Sequence, residues 1–260
     1  MTYLQAIVLG VIQGLTEFIP ISSSGHLILV PRLLGWDDQG LAFDAAIHLG
    51  TLAALVVYFR AELAAFVTGG LSRRLALLIA AGSLPAFLAG GLFHRWIEDS
   101  LRSPVVIAAS TGFWAVVMWL ADRGARAAPP PGEPLERVGR GQAIAIGCAQ
   151  ALALVPGTSR SGITITAGLL GGLDRATAAR FSFLLGIPVT AAAGAYKSLQ
   201  IARGGLALED TGPLLAAVLA AFLSGWAAVW FLVGYLKRRS LTPFVVYRLL
   251  LAGLLAVLIL

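Results

Sequence analysis

A single cysteine, Cys148, rules out an internal disulfide in this chain of 260 residues. Charge is nearly as sparse. Asp, Glu, Lys and Arg together supply 12% of the residues, against about 25% in soluble domains. Disorder is excluded, because a disordered chain needs high charge and low hydrophobicity. The first basic residue is Arg32. The N-terminal apolar run therefore has no basic n-region, and a cleaved signal peptide is not expected. What is abundant is apolar: 58% of the chain belongs to the AVILMFWYC set, with 30 glycines besides. A soluble globule of this size could not hide that much apolar surface. The composition predicts one integral membrane domain, all-α and polytopic. In a soluble protein the net charge of +6 would suggest nucleic acid. Here most basic residues sit in short loops between apolar runs, where they orient a membrane protein, so no nucleic-acid partner is expected. An anionic substrate suits the sign.

A helix needs about 20 apolar residues to cross a bilayer. Six stretches qualify: 41–60, 75–94, 104–121, 180–200, 213–236 and 241–260. Four shorter or interrupted pieces, 3–19, 24–35, 141–155 and 162–173, fall in two pairs. Each pair is divided by a polar, small-residue segment, PISSSG at 20–25 and PGTSRSG at 156–162. Such pairs read as re-entrant hairpins, over 3–35 and 141–173. Irregular backbone at membrane depth survives only where protein or a wet cavity surrounds it. The segment 122–140, with its prolines and mixed charges, reads as a cytoplasmic connector.

The halves 1–121 and 141–260 repeat. A shift of 137 positions lays Gln5, Ala6, Ile7, Gly10, Gln13, Leu15, Ser22, Ser24 and Gly25 over Gln142, Ala143, Ile144, Gly147, Gln150, Leu152, Ser159, Ser161 and Gly162 without a gap. Each unit is one hairpin plus three spans. Three is odd, so the second unit enters the membrane inverted, and inverted repeats place their shared site near the midplane, at broken helices. With the loops near 60–74, 122–140, 174–180 and 237–240 on one side, that side carries twelve cations. The other carries five: Arg32, Arg95, Arg102, Lys197 and Arg203. The richer face is expected to be cytoplasmic and both termini outside.

Polar groups at membrane depth are expensive, so the few present are candidates for function. Gln13, Glu17, Ser22, Ser23, Ser24 and His26 form one cluster. Ser159, Arg160, Ser161 and Thr164, with Gln150 behind them, form another. Gln13 and Glu17, four apart, share a helix face. The combination suggests phosphate. An arginine fork grips phosphate oxygens in pairs. Both breaks open a helix, whose N-terminus offers free N–H groups to anions. Gly25, Gly157 and Gly162 let the backbone come close. One serine becomes a nucleophile if Glu17 or His26 acts as base. Glu17 and the Gln13 amide oxygen could instead hold a hard divalent cation.

Plainer readings stand beside these. The serine run caps a helix; Arg160 neutralises a structural glutamate; His26 is a tertiary contact; Gln13 and Gln150 pack between hairpins. Asp44 and His48 read as a structural pair, Arg248 as a structural ion pair or interface anchor, and Cys148 as a small core residue. The joint occurrence of the two clusters at equivalent repeat positions favours function for them.

QGLTEFIPISSSGHL at 13–27 and PGTSRSGIT at 156–164 resemble the two signature motifs of the undecaprenyl-pyrophosphate phosphatases, the bacitracin-resistance family. The resemblance covers essentially the whole chain. It implies a hydrolase of the bacterial cytoplasmic membrane that removes the terminal phosphate of an isoprenyl pyrophosphate lipid and so recycles the cell-wall lipid carrier. It also implies an outward-facing site, dependence on Mg²⁺ or Ca²⁺, and a homodimer. The family's acidic motif falls on Gln13 and Glu17, with glutamine where some members have a second glutamate. Its serine–histidine segment falls on Ser22, Ser23, Ser24 and His26, and its arginine motif on Arg160, between Ser159 and Ser161. Glu17, Ser23, His26 and Arg160 are accordingly expected to be catalytic. Ser22, Ser24, Gly25, Gly157, Ser159, Ser161, Gly162 and Thr164 are expected to bind phosphate, and Glu17 with Gln13 to hold the cation. A transporter or lipid flippase would share the repeats and midplane site but release no phosphate. A phosphatidic acid phosphatase of type 2 would share the SGH and SR fragments, yet it looks for a histidine six residues after the arginine, where Thr166 stands.

Overall fold

The computed structural model describes residues 1–68, 72–101, 103–125, 134–204 and 211–259. Arg102 and residues 126–133 of the expected connector, Arg126 among them, lie outside the described residues, as do the side chains of Arg95, Lys197 and Arg203. The described residues form helices and no strand. In chain order these are α1 (Tyr3–Phe18), α2 (Ser23–Leu34), α3 (Gly40–Tyr58), α4 (Arg60–Thr68), α5 (Ser72–Ser100) and α6 (Pro104–Arg123). A short 3₁₀ turn (Pro134–Arg137) follows, then α7 (Arg140–Leu152), α8 (Arg160–Leu170), α9 (Arg175–Gly204), α10 (Thr211–Leu236) and α11 (Thr242–Ile259).

Four of these are long and apolar enough to cross a membrane: Arg73–Phe93, Pro104–Arg123, Arg175–Tyr196 and Thr211–Leu236. The expected span 41–60 is broken. Phe43–Tyr58 and Arg60–Phe66 meet at a bend of 73° and count as a fifth crossing only together. The expected span 241–260 corresponds to α11, an apolar helix of 18 residues, close to the minimum of about 17. The protein is thus an all-helical, multi-pass membrane protein.

The four short apolar pieces become α1, α2, α7 and α8. Thr2 and Gln5 form a capping box on α1: Thr2 Oγ1 accepts from the Gln5 N–H at 3.2 Å, and Gln5 Oε1 accepts from the Thr2 N–H at 2.9 Å. The matched Gln142 accepts from the Gly139 N–H at 2.7 Å and donates to the Gly171 carbonyl at 2.7 Å. It ties the start of α7 to the end of α8. At the other end of α1, Ile19 is extended (φ −63°, ψ 131°), as a residue before proline prefers.

Packing is crosswise. α1 runs along α10 and α7 along α5, while α6 pairs with α11 and α3 lies on α10 and α9. Glycine makes the first two contacts possible. A Cβ on Gly10 would lie 2.3 Å from the Ala217 carbonyl oxygen, and one on Gly147 would lie 2.0 Å from that of Gly82. Apolar burial drives little helix association in lipid, where close backbone approach does the holding. Gly10→Val is therefore expected to push α1 off α10 and cost about 1–3 kcal/mol or more. A melting temperature in detergent unchanged from wild type would contradict that packing.

Asp122 adds a polar tie. Its carboxylate accepts from Arg175 Nε at 2.5 Å and the Leu241 N–H at 3.0 Å, joining α6 to the starts of α9 and α11. Cys148, expected in the core, is exposed. It shares the outer face of α7 with Ile144 and Ala145, while Gly147 turns inward to α5.

Candidate active site

Two backbone kinks shape the site. Among the described residues, only Ser22 (φ 75°) and Ser159 (φ 68°) combine a side chain with a left-handed φ. They are the matched serines of the two halves. Such a conformation costs about 1–3 kcal/mol and persists only where the surroundings hold it, often at functional sites. Each stands immediately before a helix, α2 or α8.

The two tips meet. Ser24 Oγ accepts from the Gly157 N–H at 3.3 Å and lies 3.2 Å from Ser22 Oγ. Arg160 Nη2 donates to Glu17 Oε1 at 2.6 Å. The second carboxylate oxygen accepts from Ser23 Oγ at 2.9 Å and Gln13 Nε2 at 3.1 Å. Beside them, the fully buried Phe18 packs edge-on against Phe183, with ring centroids 5.6 Å apart. The ion pair is itself largely buried: the side chains are 9% exposed for Glu17 and 13% for Arg160. A buried pair survives its desolvation when further hydrogen bonds surround it, as they do here.

A second guanidinium nitrogen, Arg160 Nη1, is buried with no partner among the described residues. It lies against α9 at Gly186, where a Cβ would fall 1.7 Å from it. Buried donors are nearly always satisfied, so an orphaned one needs a reason. An anionic oxygen is its natural partner. Gly186 escaped the sequence reading. Its only signal is a glycine in an apolar helix, two residues before Pro188.

The second loop is tightly built. Gly157 has φ 88°, and a Cβ there would lie 2.4 Å from the Ile107 carbonyl oxygen. Gly162 donates its N–H to Ser159 Oγ at 3.2 Å, which caps α8, and Ser161 Oγ lies 3.4 Å from the same oxygen. Gly25 differs from both: its nearest neighbour to a Cβ would be 3.7 Å away, so crowding does not require glycine there. The Thr164 hydroxyl is engaged within the fold. It donates to the Arg160 carbonyl at 2.7 Å and pairs with Ser182 Oγ on α9, which fastens α8 to α9. The Gln150 amide is buried without a partner among the described residues.

Three further residues have partners that the sequence did not show. His26 makes tertiary contacts. Its Nδ1–H donates to the Ser22 carbonyl at 2.7 Å, and its Nε2 accepts from Tyr247 Oη at 2.6 Å. His48 is not simply paired with Asp44. Its Nδ1 donates to the Asp44 backbone carbonyl at 2.6 Å, which leaves Nε2 facing Glu17 Oε2 at 3.6 Å. Its sequence signal was a polar pair one turn apart at the start of an apolar span. Arg248 has no carboxylate partner among the described residues; carbonyl oxygens hold it.

The donor set suits a hard cation. Glu17 supplies a carboxylate, and Gln13 Oε1 is a buried oxygen with no hydrogen-bond partner among the described residues. No group of three or more His, Cys, Asp or Glu side chains forms a metal cage among the described residues. One or two protein oxygens completed by phosphate and water is the usual arrangement for Mg²⁺. A cleft of about 570 Å³ near the α1 N-terminus, the α2–α3 loop and the start of α10 is lined by Asp37 and Asp38. That charge is the wrong sign for pyrophosphate, and none of the tip residues lines the cleft.

The family profile described as "Bacitracin resistance protein BacA" matches residues 6–254. Undecaprenyl-diphosphatase 2 of Stutzerimonas stutzeri (strain A1501) is 48% identical over 268 residues, covering 99% of this chain and 98% of that protein. The undecaprenyl-diphosphatase of Hahella chejuensis (strain KCTC 2396) is 46% identical, covering 98% of each chain. That of Idiomarina loihiensis (strain ATCC BAA-735 / DSM 15497 / L2-TR) is 45% identical, covering 97% of each. With its matched hairpin motifs and near end-to-end similarity to these proteins, the chain belongs to the bacitracin resistance protein BacA family.

Proposed function

We propose that this chain is an undecaprenyl-diphosphatase of the bacterial cytoplasmic membrane. It removes the terminal phosphate of undecaprenyl diphosphate, returns the monophosphate carrier to cell-wall synthesis and so confers bacitracin resistance. One observation carries the activity: Arg160 is paired to Glu17 through Nη2 while Nη1 stays buried without an acceptor. A phosphate oxygen completes that fork.

The finer architecture is six spans and two re-entrant hairpins in an inverted repeat, with α11 and the bent α3–α4 pair among the spans. It is supported by matched residues in matched surroundings: Gly10 and Gly147, each against a helix of the other half, and Ser22 and Ser159, each at a left-handed kink. The cation count supports a site that opens outward.

The isoprenyl tail stays in lipid and the diphosphate enters between the tips. Arg160 and the N–H groups opening α2 and α8 hold its oxygens and meet the charge that builds on them during transfer. Ser23 Oγ attacks the terminal phosphorus and Glu17 takes its proton. The bond to the bridging oxygen breaks, and undecaprenyl phosphate leaves with that proton. Water then attacks the phosphoserine, Glu17 takes a proton from the water, and Ser23 Oγ recovers it as inorganic phosphate departs. Glu17 and Gln13 Oε1 would hold Mg²⁺ or Ca²⁺, which supplies charge neutralisation on the phosphate oxygens when bound.

The test is phosphate release from undecaprenyl diphosphate by purified protein in detergent with Mg²⁺ or Ca²⁺. Release that a chelator abolishes is expected. No release with either metal would leave a carrier or flippase instead, and release indifferent to chelator would remove the cation. Ser23→Ala is expected to lose at least about 10²-fold in kcat. A rate within a few-fold of wild type would move the attack from Ser23 to water.

A further inference from the structure

Two consecutive residues of α11 reach both kinked loops. Arg248 is fully buried at 0% exposure. Its Nε and Nη2 donate to the Thr111 carbonyl at 3.2 and 3.1 Å. Its Nη1 donates to the Thr158 carbonyl at 3.0 Å and its Nη2 to the Gly157 carbonyl at 3.0 Å. Thr111 Oγ1 also donates to the Gly157 carbonyl, at 3.2 Å. The neighbouring Tyr247 donates its hydroxyl to His26 Nε2 at 2.6 Å and stacks on that ring at an interplanar angle of 7°. His26 Nδ1–H in turn holds the Ser22 carbonyl at 2.7 Å. One side chain thus grips the loop of the second hairpin, and the other reaches the loop of the first through His26.

A buried guanidinium without a carboxylate is a costly way to fasten a helix. Four hydrogen bonds to three carbonyls offset that cost and lock a particular geometry. A trans peptide is planar, so its N–H points opposite to its C=O. Holding the Thr158 carbonyl toward α11 turns the Ser159 N–H away from α11. Holding the Ser22 carbonyl on His26 turns the Ser23 N–H away from that ring. These amides belong to the residues that flank Arg160 and carry the Ser23 hydroxyl.

We propose that Tyr247 and Arg248 are positioning residues for phosphoryl transfer: from one helix they orient the two loop amides and hold the Glu17 and Arg160 tips in register. This role rests on the phosphatase function. Neither residue touches the phosphate.

The test compares kcat, KM and detergent melting temperature for Tyr247→Phe, Arg248→Lys and Arg248→Met. Tyr247→Phe removes one oxygen atom from a partly exposed ring. It is expected to lower kcat about tenfold with KM within about twofold, because a small misplacement at a transfer site is felt in the rate, and to shift melting by no more than about 2 °C. In a His26→Ala background the same change is expected to have less than about a twofold further effect, since the two act in series. Arg248→Lys keeps donors for the carbonyls and should retain at least about tenfold more kcat than Arg248→Met. A Tyr247→Phe kcat within about twofold of wild type would overturn the proposal, as would a Tyr247→Phe effect that persists in full without His26. If Arg248→Met does not fold, the Tyr247→Phe and His26→Ala pair decides alone. A wild type that releases no phosphate would instead sink the phosphatase function on which the role depends.

Discussion

Arg160→Ala is expected to reduce phosphate release by about 10³-fold or more while the protein stays folded in detergent. Removing one preorganised donor from a transition-state site typically costs about 10²–10³ in rate, and this change removes a fork of donors together with a charge. Folding should tolerate it. Glu17 keeps hydrogen bonds from Ser23 and Gln13, and His48 still faces it at 3.6 Å. Arg160→Lys is the sharper comparison. Lysine restores the charge but not the planar fork, so it cannot reach Glu17 and a phosphate oxygen in the same geometry. A rate between wild type and Arg160→Ala is expected. Full activity in Arg160→Lys would mean that charge alone matters and that the unpartnered Nη1 beside Gly186 is incidental.

Glu17→Gln is the second large effect. The amide matches the carboxylate in shape but lacks its charge, so it cannot take the Ser23 proton. A loss of at least about 10²-fold in kcat follows, the low end for a general base. The same variant leaves the Arg160 guanidinium without its counter-ion. Inorganic pyrophosphate should then raise the melting temperature of Glu17→Gln more than that of wild type, where the anion competes with the carboxylate for Arg160. It should do neither in Arg160→Ala. Equal stabilisation of all three proteins would place the anion somewhere other than the hairpin tips.

Much of this site was legible before any coordinates. Glu17 and Arg160 stood out because charge at membrane depth is costly, and they lie just before and within the two matched breaks of apolar sequence. The structure brings them within 2.6 Å, with Gln13 and Ser23 on the same carboxylate. The misreadings have a common cause. Local spacing paired His48 with Asp44 and could not show that the imidazole, held by the Asp44 backbone carbonyl, also faces Glu17 on another helix. Arg248 suggested an ion pair because side-chain charge is visible in a sequence, while the backbone carbonyls that hold it are not. The partners of the Thr164 hydroxyl, the Arg160 carbonyl and Ser182 on α9, were equally invisible.

Composition and its long apolar runs determined that the chain lives in lipid as helices, because a helix satisfies its own backbone there and continuous runs do not alternate as barrel strands do. Proline, glycine and serine determined where the hairpins break. Local sequence could not say which helix meets which, since every apolar face is equally content against lipid or protein. That was decided by close backbone contacts such as Gly10 on α10 and Gly147 on α5, which exist only once the helices are assembled. The orientation of the reactive groups was likewise decided by carbonyls and hydroxyls contributed from distant segments.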